Sequence, residues 1–458
     1  MKSIRIGLTN NSPTPLLHER CYVSGKGGLS VSGFLASKEQ LDNNDLGQAL
    51  FTRVFNDQCL IEVKDKTLTI KNSASVSTNT FSLSCGLKTN SIKLFAVAMI
   101  KSPSGTLTIS ENQNSPLAKT YVGQLMIIAD QSKIRTVLFH TLEEYVQSVL
   151  HGEIPTTYHL EAIKAQAICA RTYALNPRVN HKPDFCNVCD SYLCCQCFIE
   201  KPCKPNSPYE IATVETEKQI LTYQSQPALA LFSSCAGGHT ENYEDCFSDL
   251  ESKAFPASPI PYLKGVSETL NDPKAQGVID ESFLKELWQK QEPQTFDAWS
   301  KNFRWLVKLS KQDLESHIHH NLSQLIKQED FALFVVPPQS GMFGEILSMN
   351  IIKRGVGGTA VKLKIETSKG AWEVKKELAI RKLFKNQNLN LKRLASAKVF
   401  FDQIKDDKGQ LTNLHIYGLG SGHGVGLQQV GAEGLARLGR NYSDILSHYY
   451  AQAKIEKI

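Results

Sequence analysis

The spacing of apolar residues changes near Tyr121, and this change constrains the fold of the whole chain. Before it, apolar and other residues alternate, as at Ile4, Ile6 and Leu8, which is typical of half-buried strands. After it, apolar residues recur at helical spacing. The sequence therefore predicts the α+β class, with a β-rich N-terminal region followed by a mixed α/β region.

A hairpin of residues 124–128 and 134–139 and two helices are predicted after this change. The first helix has apolar residues at i, i+3, i+4, i+7 and i+8, and Gly152 and Pro155 are its stop signal. Glu153 is therefore expected just past a helix end, on a turn. The second helix, about 159–175, is rich in alanine, so another backbone can approach it closely. The apolar positions of the first helix are Leu142, Tyr145, Val146, Val149 and Leu150.

The length of 458 residues exceeds one ordinary hydrophobic core and predicts more than one domain. A stretch rich in Ser, Asn, Pro and Gly at 102–115 marks the expected boundary. We predict a β-rich domain at 1–115 and a second domain at 116–458. Within the second domain, residues 272–330 are expected to be a mostly helical, polar insertion.

Charge is distributed unevenly along a chain whose net charge is only +6. Residues 351–400 contain thirteen Lys and Arg against three Glu. A solvated strand face accounts for part of this surplus. An anionic polymer as a partner is the sharper hypothesis.

Neither a leader nor a membrane span is visible in this sequence. The N-terminus has basic residues but no apolar segment of signal-peptide length, and no run of eighteen apolar residues occurs. Two alternatives follow: the protein is cytosolic, or a leader precedes the first residue given.

Six of the twelve cysteines fall between Cys186 and Cys203, which indicates local chemistry rather than a disulfide framework. With His181 they offer the soft ligands that tetrahedral zinc prefers. A redox pair, disulfides and free thiols are the alternatives. The candidates exceed four, so spacing alone does not name a ligand set.

Glu153 and Arg171 are the charged residues with the most distinctive settings. A carboxylic acid in an apolar, partly dry position is a good general acid, although a turn glutamate on the surface is the plainer interpretation. Arg171 lies among apolar helix residues. It could pair with a carboxylate of the protein or hold a carboxylate of a substrate.

Two glycine-rich segments follow, Phe232–Glu241 and Gly418–Gly426. Cys235 and His239 in the first could be a nucleophile and base, but no third group to orient them is identifiable. The glycines of the second imply unusual φ angles or close backbone approach, and a tight helix-entry turn is the plainer alternative. Its pattern is neither a dinucleotide fingerprint nor a phosphate-binding loop.

Together these segments resemble the stage II sporulation protein D (SpoIID) family of bacterial cell-wall enzymes. The resemblance is carried by Gly-Glu153-Ile-Pro, by Glu-Ala-Ile-Lys-Ala-Gln-Ala with Ala-Arg171-Thr-Tyr-Ala-Leu, by Ser-Cys-Ala-Gly-Gly-His239-Thr-Glu, and by Gly-His423-Gly-Val-Gly-Leu-Gln-Gln-Val-Gly-Ala. It covers about 120–458 apart from the insertion. Ile154, Gln428 and Val430 depart from the residues common in the family.

The resemblance implies a SpoIID-like domain with a substrate cleft and a lytic transglycosylase activity on peptidoglycan stripped of stem peptides. Glu153 is the implied catalytic residue, and zinc is the implied structural metal. The implied partners are denuded glycan strands and a cell-wall amidase acting upstream. Nucleic acid is not an implied partner. The implied location is the cell envelope. The implied zinc ligands are His181, Cys189, Cys194 and Cys195, and the expected substrate residues are Arg171, His239, Thr240, Gly422, His423, Gly424 and Gln428.

Lytic transglycosylation needs one carboxylate, because the 6-hydroxyl of N-acetylmuramic acid attacks in place of water, whereas ordinary glycosidases need two. A competing hypothesis is a binding module that recognises glycan and activates an amidase. The presence of Glu153 favours catalysis.

Overall fold

The computed structural model describes residues 3–9, 16–56, 58–64, 67–72, 80–84, 88–89, 92–113, 115–130, 132–179, 181–201, 203–249, 252–269 and 279–458. The chain divides into two compact units. The first unit is Met1–Thr157 with Ala170–Gln219, and the second unit is Tyr158–Cys169 with Ile220–Ile458. The predicted start of the helical insertion, residues 272–278, lies outside the described residues.

The first unit is built mainly from strands. Its helices are α1 (Lys38–Asn43), α2 (Leu142–Glu153), the last residues of α3 (Leu160–Leu175) and α4 (Pro208–Glu215). Its strands are β1 (Ser3–Gly7), β2 (Leu17–His18), β3 (Arg20–Ser24), β4 (Leu29–Ser37), β5 (Phe51–Phe55), β6 (Gln58–Lys64), β7 (Thr67–Asn72), β8 (Thr80–Ser84), β9 (Lys88–Thr89), β10 (Ile92–Lys101), β11 (Thr106–Ser110), β12 (Lys119–Val122), β13 (Gln124–Asp130), β14 (Lys133–Thr141) and β15 (Val188–Cys189).

Two sheets organise this unit. The larger has the strand order β15-β1-β14-β13-β10-β4-β5, and the other has the order β12-β11-β3-β6-β7-β8. Strands from both sides of residue 115 pair within each sheet: Val97 of β10 faces Ile128 of β13, and Leu107 of β11 faces Tyr121 of β12. The boundary predicted at 115/116 therefore falls inside the first unit, because sheet pairing joins the segments on either side of it.

Helix α2 begins with a capping box. The Thr141 side chain accepts from the backbone N–H of Glu144, whose carboxylate accepts from the backbone N–H of Thr141. The predicted apolar face is buried. The helix ends at Glu153, and Ile154 is already extended. Glu153 is thus the last residue of the helix, and its predicted position on a turn is wrong by one residue because Gly152 remains helical.

The second unit contains small sheets and several helices. Its helices are α5 (Tyr243–Cys246), α6 (Glu281–Gln289), α7 (Lys311–Lys327), α8 (Glu329–Ala332), α9 (Glu377–Leu383), α10 (Gln429–Arg437) and α11 (Tyr442–Tyr449). Its strands are β16 (Gln219–Tyr223, of which Gln219 belongs to the first unit), β17 (Gln226–Pro227), β18 (Phe232–Ser233), β19 (Arg304–Ser310), β20 (Val335–Val336), β21 (Ile346–Arg354), β22 (Ala360–Thr367), β23 (Gly370–Lys375), β24 (Val399–Lys405), β25 (Leu411–Leu419), β26 (Leu427–Gln428) and β27 (Lys454–Lys457).

The core of this unit lies between helix α7 and its sheets. Leu314, Ile318 and Leu322 recur every four residues on α7 and are buried in one cluster with Leu363 and Ile365 of β22. The region predicted as a helical insertion also contains strand β19, which pairs with β25. The α+β class is confirmed. Of the described residues, no helix is both long and apolar enough to cross a bilayer.

Candidate functional site

Glu153 is half-buried at the C-terminal end of helix α2. The backbone N–H of Cys197 donates to its Oε1 over 2.6 Å. A peptide N–H belongs to the backbone, so this contact fixes one carboxylate oxygen without depending on which side chain stands at 197. The carboxyl group therefore has a defined orientation.

The segment 196–199 is held along helix α2 by several contacts. Gln196 donates to the hydroxyl of Tyr145 over 2.8 Å, and the N–H of Ile199 donates to the carbonyl of Ser148 over 3.0 Å. The ring of Phe198 stacks on Tyr145 with centroids 5.8 Å apart. Because these contacts lie on both sides of Cys197, they place its N–H at Glu153.

Gly152 is required for this close approach. A Cβ at this position would lie 2.3 Å from the carbonyl oxygen of Cys197 and 2.9 Å from its Sγ. The sequence suggested Gly152 as a helix stop signal. Its observed role is instead to let the segment 196–199 contact the helix backbone.

We expect Gly152→Ala to destabilise the protein by about 1–3 kcal/mol, the usual cost of overpacking. Alanine is the better helix former by only about 0.5–1 kcal/mol, so the clash outweighs the propensity gain. Thermal unfolding measures the net effect. Gln147→Ala, at a half-buried position of the same helix, is the control and should change the melting temperature little. A stabilised Gly152→Ala protein would contradict the close-approach role.

Glu153 lines a cavity of about 870 Å³ in the first unit. Its polar wall includes Lys201, Lys204 and Ser207, and its apolar wall includes prolines and Tyr209. The hydroxyl of Tyr209 donates to the carbonyl of Ile154, which fixes the ring beside the end of helix α2. Among the described residues that line this cavity, Glu153 is the single carboxylate.

A candidate metal centre lies just before the segment 196–199. The ligand atoms of His181, Cys189, Cys194 and Cys195 all lie within 4.8 Å of one another. His181 Nε2 is 3.1 Å from Cys195 Sγ and 3.6 Å from Cys194 Sγ. A tetrahedral zinc ion with bonds of about 2.3 Å needs neighbouring sulfurs about 3.8 Å apart, so the four residues fit it.

The carboxylate of Asp184 lies beside the ring of His181. Its Nδ1 lies 3.7 Å from Asp184 Oδ2, and Arg135 donates to Asp184 Oδ1 over 3.0 Å. A carboxylate on the far ring nitrogen is the usual support of a metal-binding histidine. Cys186, also a candidate from spacing, packs instead in an apolar cluster with Phe185.

Arg171 is fully buried and belongs to an ion pair within the first unit. Its guanidinium donates to both carboxylate oxygens of Glu143, with Nη2 2.5 Å from Oε2, and Nη1 donates to the carbonyl of Gln219 over 3.0 Å. The first alternative raised from the sequence, pairing with a carboxylate of the protein, describes this arrangement. The buried guanidinium does not face the cavity of Glu153.

We expect Arg171→Met to lower the free energy of unfolding by about 3 kcal/mol, because it leaves the Glu143 carboxylate without its partner in a partly buried position. Denaturant unfolding measures this loss. Pairing it with Glu143→Leu should recover much of the stability, since both charges are then absent. Unchanged stability together with weaker glycan binding would instead favour the substrate-binding hypothesis for Arg171.

The other predicted substrate residues all lie in the second unit, where the two glycine-rich segments meet. Strands β18 and β26 pair in parallel, with Ser233 facing Gln428, and the Ser233 hydroxyl donates to Gln428 Oε1 over 2.8 Å. Gly424 N–H donates to the Ser233 hydroxyl over 3.1 Å. Gln428 is fully buried. It therefore joins the two segments rather than facing a ligand.

The unusual φ angles expected of this loop are confirmed. Gly422 has φ 106° and Gly424 has φ 77°, both in the left-handed region that favours glycine. Burial lowers the pKa of His423 to about 4, so its imidazole is neutral at pH 7.

His239 and Thr240 are buried. His239 Nδ1 lies 2.7 Å from the carbonyl of Thr240, and His239 lines a second cavity, of about 370 Å³. Burial raises the pKa of Cys235 well above its usual range, and its thiol contacts Asp297. A buried neutral thiol is a poor nucleophile, which weighs against a cysteine hydrolase. These residues and Glu153 belong to different units, so a shared cleft stays a prediction.

Sequence reasoning missed three groups at Glu153: the Cys197 N–H, Lys201 and Lys204. Every residue except proline has a backbone N–H, so the sequence does not indicate which one will donate to Glu153. The lysines lie in Glu200-Lys-Pro-Cys-Lys-Pro, at the C-terminal end of the cysteine-rich segment, and that proximity was the available signal.

Residues 130–223 match the family model described as Stage II sporulation protein (SpoIID). This segment of the chain includes Glu153 and the four clustered metal-type ligands. Residues 249–426 match a domain of unknown function, DUF8618.

Curated relatives match over most of the chain. An uncharacterized protein of Brachyspira hyodysenteriae is 24% identical over 80% of this chain and 78% of its own length. The Stage II sporulation protein D of Bacillus subtilis is 25% identical over 69% of this chain and 74% of its own length. The Amidase enhancer of the same organism is 26% identical over 67% of this chain but only 39% of its own length.

Proposed function

Because this chain carries a domain of the stage II sporulation protein D family, we propose that it is a peptidoglycan lytic transglycosylase of the cell envelope. The single observation that supports this reaction most is that Glu153 is the one carboxylate among the described residues that line the cavity of the first unit. Glycosidases that use water need a second carboxylate within about 5–10 Å. A reaction that forms a 1,6-anhydro ring does not.

Glu153 acts twice in the proposed mechanism. As a carboxylic acid it protonates the oxygen between N-acetylmuramic acid and N-acetylglucosamine, and that bond breaks. As a carboxylate it accepts the proton of the muramyl 6-hydroxyl, whose oxygen bonds to C1 and closes the anhydro ring. No water is consumed. The Cys197 N–H holds Oε1 and so fixes the orientation of the carboxyl group that transfers the proton.

Zinc is proposed as the metal of the His181, Cys189, Cys194 and Cys195 cluster. When bound, it would cross-link the loop and supply no reacting group. It would hold the chain before Cys197, since Cys195 and Cys197 are two residues apart. The protein's own contacts to helix α2 then position Glu153.

The proposed substrate is glycan stripped of stem peptides, produced by an amidase acting earlier. The test is to incubate the protein with amidase-treated peptidoglycan and to analyse the fragments by mass spectrometry. Anhydro-ended fragments, lighter by one water than hydrolytic ones, are the expected product. Only hydrolytic ends would contradict the mechanism.

A second candidate function is favoured by the relative named Amidase enhancer. In that case the chain binds glycan and raises the activity of a cell-wall amidase without cutting the strand. Adding the protein to an amidase assay distinguishes the two. Amidase stimulation that survives Glu153→Gln, without anhydro products, would support this alternative.

A further inference from the structure

Two lysines share the cavity of Glu153. Lys201 and Lys204 both line it, and both are exposed to solvent. Lys204 lies in a turn, where its carbonyl accepts from the N–H of Ser207 over 3.0 Å. Ser207 in turn caps helix α4. The cavity therefore has two exposed cationic side chains beside one carboxyl group.

The neighbouring carboxylates are engaged elsewhere. Glu200 Oε2 lies 2.8 Å from Nε2 of buried His140, and its side chain is only 11% exposed. Glu210 Oε2 accepts from the N–H of Asn206 over 2.5 Å. Among the described residues, neither lysine ammonium has a salt bridge. Among the described lining residues, two ammonium groups outnumber the single Glu153 carboxylate, and such a surplus of positive charge is suited to an anionic ligand.

We propose that Lys201 and Lys204 bind the lactyl carboxylate of N-acetylmuramic acid and thereby select glycan without stem peptides. This inference rests on the proposed function. Removing the peptide converts the lactyl carbonyl from a neutral amide into a carboxylate close to the sugar ring. An ammonium group attracts that carboxylate but gains no such attraction from an amide.

The experiment compares two substrates that differ in this charge. One is amidase-stripped glycan, and the other is the same glycan with its lactyl carboxylates converted to methylamides. The wild-type protein is expected to cleave the carboxylate form about five- to thirtyfold more efficiently, since the ion pair of each exposed lysine contributes up to about 1 kcal/mol, a factor of about five. The preference should fall with added salt, because the lysines are exposed.

Lys201→Gln combined with Lys204→Gln is expected to remove the preference by slowing cleavage of the carboxylate form alone. The double Arg variant should retain it. Lys405→Gln, an exposed lysine on β24, is the matched control. Equal losses on both substrates, or an unchanged preference in the Gln variant, would overturn the proposal.

A binding measurement tests the role of the lysines independently of the proposed transglycosylase activity. Affinity of the two glycans is measured in the Glu153→Gln background, where no cleavage is needed. Tighter binding of the carboxylate form that depends on the lysines supports the proposal even if no anhydro product forms. Equal affinity for both glycans would overturn it even if the protein is a transglycosylase.

Discussion

Glu153→Gln is expected to lower the rate of anhydro-product formation by about 10²–10⁴-fold, the usual contribution of a general acid–base group. Glutamine keeps the shape of the side chain, and its oxygen can still accept from the Cys197 N–H. It cannot deliver a proton to the glycosidic oxygen. The loss should therefore appear in kcat, measured on amidase-stripped glycan.

Glu210→Gln is the matched control, because Glu210 lies on helix α4 and does not line the cavity. It should leave the rate nearly unchanged. Both variants should bind glycan and unfold as the wild-type protein does. A Glu153→Gln protein with near-normal turnover would remove Glu153 from the mechanism.

Loss of the metal centre is expected to have the second large effect. Structural zinc contributes about 10–16 kcal/mol in small zinc-binding peptides, and a fraction of that would dominate the stability of the segment 181–199. Cys195→Ser should abolish binding of one equivalent of zinc. It should also expose this segment to protease and reduce anhydro-product formation, because the Cys197 N–H is two residues away.

Metal analysis under reducing conditions measures the first effect, and limited proteolysis measures the second. Cys203→Ser is the control, since Cys203 is outside the cluster and zinc should be retained. Less than a small fraction of one zinc per wild-type chain would contradict the assignment. Normal protease resistance in Cys195→Ser would contradict the supporting role.

Local structure in the first unit was predictable because it depends on short-range patterns. The helix after Thr141 lies where the spacing of its apolar residues placed it. Likewise, the four residues named as zinc ligands from the resemblance are the four whose ligand atoms converge. The hairpin β13–β14 also lies where the alternation of apolar residues placed it.

Long-range pairing was harder to predict. The alternation of apolar residues before residue 115 predicts strands but not which strands pair or in which register. The pairing of β10 with β13 and of β11 with β12 was therefore not foreseen. Arg171 and Glu143 are 28 positions apart on different helices, and only packing decides that they meet. The role of Gly152 likewise depends on a segment more than forty residues away in the chain.

The two units each contain a hydrogen bond that closes a loop of the chain, and the lengths of these loops have a consequence for folding. The bond from Cys197 to Glu153 closes a loop of 44 residues, whereas the bond from Ser233 to Gln428 spans 195. Each doubling of loop length costs about 0.6 kcal/mol of chain entropy, so the longer closure costs about 1.3 kcal/mol more. The contact between the acid and its supporting segment therefore has the smaller entropic cost, and it does not require the longer loop to close first.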